Sequence, residues 1–193
     1  DPQREARWLA RLRPEFARFG SLPPETLAEI YLSFQQQPRM AELLLDLTPA
    51  AVSFHFGVPD RETLRQLREK GIVTLASATS VAEALLAVEQ GIDMVVAQGY
   101  EAGGHRGIFD PLAPDGQMST FTLVQTIRRH TDIPLIAAGG VMDGAGINSV
   151  MNLGADGAQL GTAFLLCPES STDGGYREAL KSASDGQTVL TSA

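Results

Sequence analysis

Residues 133–140, Ile133-Pro134-Leu135-Ile136-Ala137-Ala138-Gly139-Gly140, pass from a continuous apolar run into a pair of glycines. About 20 residues further on, Gly157-Ala158-Gln159-Leu160-Gly161-Thr162 repeats the arrangement. A short apolar run without polar alternation is the pattern of a strand buried on both faces, as in a parallel sheet. Working outward, the same grammar returns at 50–56 (Ala50 to Phe56), 72–76 (Ile72 to Ala76) and 93–98 (Asp93 to Gln98). Helices are expected between these strands. Asp60 caps one that runs to Lys70 and stops at Gly71, and Ser80 with Glu83 forms a capping box for one closed by Gly91. Two more are expected over 120–130 and 143–153. Strand starts are about 20 residues apart, except where a Gly/Pro-rich stretch, 99–118, intervenes.

Strands alternating with helices fit an open doubly wound sheet or a closed (β/α)8 TIM barrel. The glycines choose between them. Gln98-Gly99, Gly139-Gly140 and Gly161-Thr162 all stand at the carboxyl ends of their strands, the face on which a barrel assembles its active site. An open nucleotide-binding sheet would carry its strongest glycine turn, G-x-G-x-x-G, after its first strand, and no such motif is present. The expected fold is therefore α/β, a (β/α)8 barrel of which this sequence supplies about five strands. Such barrels need eight strands and typically about 250 residues. On that reading about three strands precede Asp1 and further chain follows Ala193.

Residues 1–48 read differently, as helices only. Trp8, Leu9, Leu12, Phe16 and Phe19 recur at helical spacing, Pro23-Pro24 interrupts, and Leu27, Ile30, Tyr31 and Phe34 continue the same kind of face. The expected organisation is a helical segment, 1–48, packed on a barrel portion, 50–193.

Composition narrows the function. A net charge of −8 argues against nucleic acid, whose phosphates require a basic surface. No apolar run reaches the roughly 20 residues that cross a bilayer, and the charged opening Asp1-Pro2-Gln3-Arg4-Glu5 shows no secretory leader. Cys167 is the only cysteine, and His55, His105 and His130 are too scattered for metal-ligand spacing, so no metal site is expected. A cytoplasmic setting is the expectation.

The candidate site follows from the strand ends. Glycines at Gly139, Gly140 and Gly161 let backbone N–H groups approach an anion, and Thr162 adds a hydroxyl, so the two loops are expected to hold a phosphate. The bland alternative is that these glycines only permit tight turns. Gln98 ends the third strand, where its amide can face a flat heterocycle, and Gly103-Gly104 lets the backbone pass close to such a ring. His105 enters the same cavity, and imidazole titrates near neutrality, as a proton acceptor from carbon requires. For His55, near the end of the first strand, two readings stand: a hydrogen-bonded core histidine, or a second side chain in the cavity. Glu101 and Arg106 either orient the loop or neutralise a charge. His130, at a helix end, and Cys167, after Leu165-Leu166, are assigned no chemistry.

In the stretches QGYEAGGHRG (98–107), PLIAAGGVMDG (134–144), GAQLGTAFLLCPES (157–170) and SFHFG (53–57), the sequence resembles the bacterial class of the nitronate monooxygenase family, formerly called 2-nitropropane dioxygenases. The likeness runs across nearly the whole chain. It implies an FMN-dependent barrel that uses no metal. Such an enzyme oxidises alkyl nitronates, such as propionate 3-nitronate, with O2 to nitrite and a carbonyl compound. Carried over by motif, Gln98, Gly103, Gly140, Gln159, Leu160, Gly161 and Thr162 would bind FMN. His105 would be the active-site base, with His55 beside it.

The Glu-Ala-Gly-Gly-His stretch is shared with FMN-dependent enoyl-carrier-protein reductases, and NAD(P)H:quinone reductases belong to the same superfamily. Arg106 and the SFHFG strand favour the monooxygenase. A non-catalytic flavin- or phosphate-binding module is the reading from another class, and it leaves His105 without a purpose.

Overall fold

The computed structural model describes residues 1–28, 33–183 and 187–191. They fall into two compact units, Asp1–Pro38 and Arg39–Ala193.

In the first unit, α1 (Pro2–Arg18) starts where Asp1 accepts hydrogen bonds from the N–H groups of Gln3 and Arg4 and proline occupies the first helical position. The Leu27 N–H donates to the Glu5 carboxylate. The expected face from Leu27 to Phe34 includes Ile30 and Tyr31, which lie outside the described residues; Phe34 opens a 3-10 turn, Phe34–Gln36.

After α2 (Pro38–Leu47), which starts at the boundary between the units, the second unit continues as four strand–helix repeats and a fifth strand: β1 (Ala51–Phe54), α3 (Arg61–Glu69), β2 (Val73–Ala78), α4 (Val81–Gln90), β3 (Met94–Gln98), α5 (Thr120–Arg128), β4 (Leu135–Ala138), α6 (Gly144–Asn152) and β5 (Gly157–Gln159). A helix not foreseen in the sequence, α7 (Gly174–Ser182), follows. The strands pair in parallel in the order β1-β2-β3-β4-β5. Right-handed crossovers repeated in one direction put every connecting helix on one face, as in a barrel wall. The burial pattern agrees. Thr74, Ala76 and Ala78 of β2, Val95 and Ala97 of β3, and Leu135 and Ala137 of β4 are buried, whereas on the opposite face Val73 is exposed and Ser77, Val96 and Ala138 are buried.

The helices supply matching apolar stripes: Leu64 and Leu67 from α3, Ala84 and Ala87 from α4, Leu123, Val124 and Ile127 from α5, and Val150 from α6, all essentially inaccessible. Each large side chain of this set contributes roughly 1.5–3 kcal/mol by leaving water. Alanines at Ala76, Ala78, Ala97 and Ala137 let the helices approach closely.

The amino ends of the strands carry a repeated polar device. Arg68 of α3 bonds the Gly91 carbonyl and the Asp93 carboxylate, and the other Asp93 oxygen accepts from the Thr74 N–H and hydroxyl. Two repeats later, Arg128 of α5 bonds the Gly154 carbonyl and Asp156, which accepts from the Leu135 N–H. Each Gly-x-Asp thus ties a helix to the start of a strand. The Leu135 N–H and Arg128 together hold the Asp156 carboxyl below the usual carboxylate range.

Three boundaries depart from expectation. The first strand stops at Phe54 rather than Phe56, because Phe56 has φ +65° and Gly57 φ +112°, which turn the chain out of the sheet. The fifth strand ends at Gln159, and Thr162 instead opens a 3-10 turn, Thr162–Phe164. At α4 only half of the capping box forms: the Ser80 hydroxyl accepts from the Glu83 N–H, but the Glu83 carboxylate reaches Thr79 and not Ser80. The Asp60 cap is as expected, its carboxylate accepting from the Thr63 N–H at 2.9 Å. Replacing Asp60 by Ala in the full-length protein should cost about 1 kcal/mol of stability, seen as a lower urea midpoint at an unchanged slope.

Candidate active site

The register of the sheet sets the site. Gln98 pairs with Ala138, and Ala138 with Gln159, so the two glutamines occupy one row at the carboxyl ends of β3, β4 and β5. On β1 and β2, Ser53 pairs with Leu75. Two residues on, His55 and Ser77 meet, with Ser77 Oγ 2.9 Å from His55 Nδ1.

The long loop after β3 is folded across this end and pinned from several sides. The Gln98 side-chain amide donates to the His105 carbonyl at 3.0 Å and accepts from the Gly107 N–H at 2.7 Å. Arg106 grips Asp115 with two parallel bonds, 2.8 and 3.0 Å, and donates to the Gln98 main-chain carbonyl at 2.6 Å. The Glu83 carboxylate, brought by α4, accepts from the Phe109 N–H. Glu101 accepts from both the N–H and hydroxyl of Thr120 at the start of α5. Of the two readings for Glu101 and Arg106, orientation of the loop is what their contacts display.

The glycines have two distinct uses. Gly99 passes so close to α5 that a Cβ there would stand 1.9 Å from Thr120 Oγ1, and Gly139, at φ +115°, would place one 2.9 Å from the Ala102 nitrogen. These two are demanded by close approach of backbone to backbone. Around Gly104 and Gly161, in contrast, an added Cβ meets nothing within 4 Å. The loop after β3 nonetheless touches both phosphate-candidate loops: a Cβ on Gly103 would lie 3.1 Å from Thr162 Oγ1, and one on Gly140 would lie 3.3 Å from Glu101 Cβ. Among the described residues, the N–H groups of Gly140, Gly161 and Thr162 donate to no protein group.

The structure brings His55 and His105 to the same place. Phe56 stands between them, its ring centroid 6.4 Å from His55 and 6.0 Å from His105, the latter edge-to-face. Both histidines keep exposed surface. The two readings of His55 merge: one nitrogen is tied into the sheet, and partial burial of the ring lowers its pKa below the ordinary imidazole value. His130 lies apart, its Nδ1 bonded to the Thr126 carbonyl one helical turn back. Cys167 is partly buried, its carbonyl accepting from Arg177. Phe56, Ser77 and Asp115 escaped the sequence reading. Ser77 and Asp115 matter through partners fixed by register or loop path, whereas Phe56 beside His55 in SFHFG was the one available signal.

A parallel α/β wall with histidines, glycines and open N–H groups gathered at its carboxyl ends is the arrangement of a barrel wall, whose loops at that end build the site. Residues 24–193 match the nitronate monooxygenase family. The chain is 51% identical to a nitronate monooxygenase of Pseudomonas aeruginosa, over 99% of this chain and 54% of that protein. It is 48% identical to one of Paraburkholderia phytofirmans, over 98% and 52%. Among solved structures it resembles a nitroalkane oxidase from Streptomyces ansochromogenes (TM-score 0.79, 38% identity, 89% of this chain and 49% of that one). It also resembles FabK from Thermotoga maritima (TM-score 0.70, 29% identity, 95% and 56%). The chain therefore belongs to the nitronate monooxygenase family, and it spans about half the length of the relatives it matches. Among the described residues no helix is long and apolar enough to cross a membrane.

The Arg106–Asp115 pair should be the most sensitive polar contact of the site. Its side chains are only 10% and 16% exposed. Replacing Arg106 by Ala leaves a nearly buried carboxylate unpaired and should cost about 3 kcal/mol. The Arg106 guanidinium also holds the Asp115 carboxyl below the usual carboxylate range. The pair's stabilisation is thus complete above the unfolded carboxylate pKa and fades as pH falls through the lowered folded value. Urea midpoints at pH 7 and pH 2.5 should show the gap between wild type and Arg106→Ala widest at pH 7 and narrowed at pH 2.5, below the unfolded carboxylate pKa of about 3.9.

Proposed function

We propose that this chain is the cofactor-binding portion of an FMN-dependent enzyme that oxidises alkyl nitronates, such as propionate 3-nitronate, with O2, releasing nitrite and a carbonyl compound. The observation that carries the reading is that His55 and His105 flank Phe56 at the strand ends, where the loops of Gly140, Gly161 and Thr162 offer N–H groups unpaired among the described residues. The donor set suits a flavin mononucleotide. Open N–H groups beside a hydroxyl fit a phosphate, and the bare backbone at Gly104 and Gly161 leaves room for a broad flat group. Gly140, Gly161 and Thr162 would hold the phosphate, with Gln98, Gly103, Gly139, Gln159 and Leu160 completing the cofactor-binding set.

Bound FMN would supply two-electron oxidation of the substrate and pass the electrons to O2. The protein's part is positioning and proton handling. His105 rides on a loop whose backbone is fixed by Gln98 and Arg106, which sets the position from which its exposed imidazole reaches the site. A neutral nitroalkane must lose an α-proton to become oxidisable, and His105 is placed to accept it. A nitronate arrives already deprotonated and needs only to be bound. The net charge of −8 supports a small-molecule substrate rather than nucleic acid, and the single cysteine suits a cytoplasmic setting.

The full-length protein should be yellow, be bleached by propionate 3-nitronate in the absence of oxygen, and consume O2 when air is admitted. Bleaching by NADPH with no response to the nitronate would transfer the chain's activity to the reductases. A colourless protein that takes up no FMN would remove the flavin altogether. In His105→Ala, kcat/KM for a neutral nitroalkane should drop by roughly 10²–10⁴, and the value for the matching nitronate by far less. Equal losses on both substrates would remove His105 as the base.

A further inference from the structure

The two histidines at the strand ends are held in different ways. The His55 ring is bonded through Nδ1 to Ser77 Oγ at 2.9 Å. Among the described residues, the His105 ring makes no hydrogen bond and stands edge-to-face to Phe56. Ser77 is 1% exposed. It lies beneath the loop after β3, where an added Cβ on Gly107 would come within 3.3 Å of Ser77 Cβ. Water is thereby kept from its hydroxyl, and His55 is that hydroxyl's only hydrogen-bond partner among the described residues.

This contact fixes where the protons sit. A serine hydroxyl has one proton to donate, and a buried donor left without an acceptor is costly. Among the described residues, the only acceptor bonded to Ser77 is His55 Nδ1. Were Nδ1 protonated, the ring would donate to Ser77 and the serine proton would be stranded. That penalty disfavours the Nδ1–H form by roughly tenfold or more. A neutral His55 therefore carries its proton on Nε2, the nitrogen on the other side of the ring, which has no hydrogen-bond partner among the described residues. Partial desolvation of His55 acts in the same direction, since it favours the neutral ring.

We propose that Ser77 is a positioning residue that locks His55 as the neutral Nε2–H tautomer, so that His55 donates a hydrogen bond to an anionic substrate oxygen while His105 remains the proton acceptor. The role assigned to the substrate rests on the nitronate reading above. A nitronate spreads its negative charge over two oxygens and needs donors rather than a base. Two free imidazoles would compete for both tasks. With one ring fixed by a buried serine and the other unbonded, the tasks are divided.

The test uses the full-length, flavin-loaded protein labelled with ¹⁵N-histidine, with the His55 signals assigned by their loss in His55→Gln. Near pH 8 the expected pattern is an unprotonated, acceptor-type Nδ1 and a protonated Nε2. Ser77→Ala should turn this into a tautomer mixture. It should also raise KM for propionate 3-nitronate by the inverse of the remaining Nε2–H fraction, roughly twofold for an even mixture, with kcat changed far less. Ser77→Thr, which keeps the hydroxyl, should recover KM where it folds. A wild-type Nδ1–H tautomer overturns the proposal. So does a Ser77→Ala protein whose tautomers shift while KM stays the same. If wild-type enzyme turns over no nitronate, the function on which the donor role rests fails, and the nitrogen shifts still decide the tautomer independently.

Discussion

Everything at the active end of this sheet depends on holding a long glycine-rich loop still. The Arg106 guanidinium does most of that work, because its planar fork meets the Asp115 carboxylate on one side and the Gln98 carbonyl on the other. The Gln98 side chain then closes the loop from below, accepting from Gly107 and donating to the carbonyl of His105. A histidine on an unsupported glycine loop would lose its position to chain entropy. Here its backbone is bonded one residue from a nearly buried ion pair.

The two ends of the sheet divide stability from chemistry. At the amino ends, Arg68 with Asp93 and Arg128 with Asp156 repeat one device, a helix arginine bonded to the Gly-x-Asp that opens a strand or precedes it. These contacts satisfy the N–H groups of Thr74 and Leu135. At the carboxyl ends the pattern reverses, with exposed histidines, bare backbone and unpaired N–H groups. The alanines in the strand centres let the helices settle closely on one face, which keeps both ends in register.

Much of this was legible in the residues. The apolar runs at 72–76, 93–98 and 133–138 became β2, β3 and β4 within a few positions, since uninterrupted Val, Ile, Leu and Ala admit few other placements. The cap at Asp60 could be read because a cap is a local bond between a side chain and an N–H three residues on. The strand ends at Phe54 and Gln159 were overrun in the reading, because left-handed φ at Phe56 and a 3-10 turn at Thr162 leave little trace in hydrophobicity. The candidate residues His105, Gly140, Gly161 and Thr162 stood out because they sit where glycines cluster at strand ends.

By itself, then, the sequence determined the alternation of strand and helix, the parallel sheet and the end at which the candidate residues collect. Those depend on periodicity and on residues close together in the chain. Only the tertiary structure decided that Ser77 meets His55, that Asp115 receives Arg106, that Glu83 reaches Phe109, and that Gly139 is glycine to let Ala102 pass. Each of these joins residues whose nearness is set by strand register or loop path. A one-residue slip of either would leave the local patterns intact and take the partners apart.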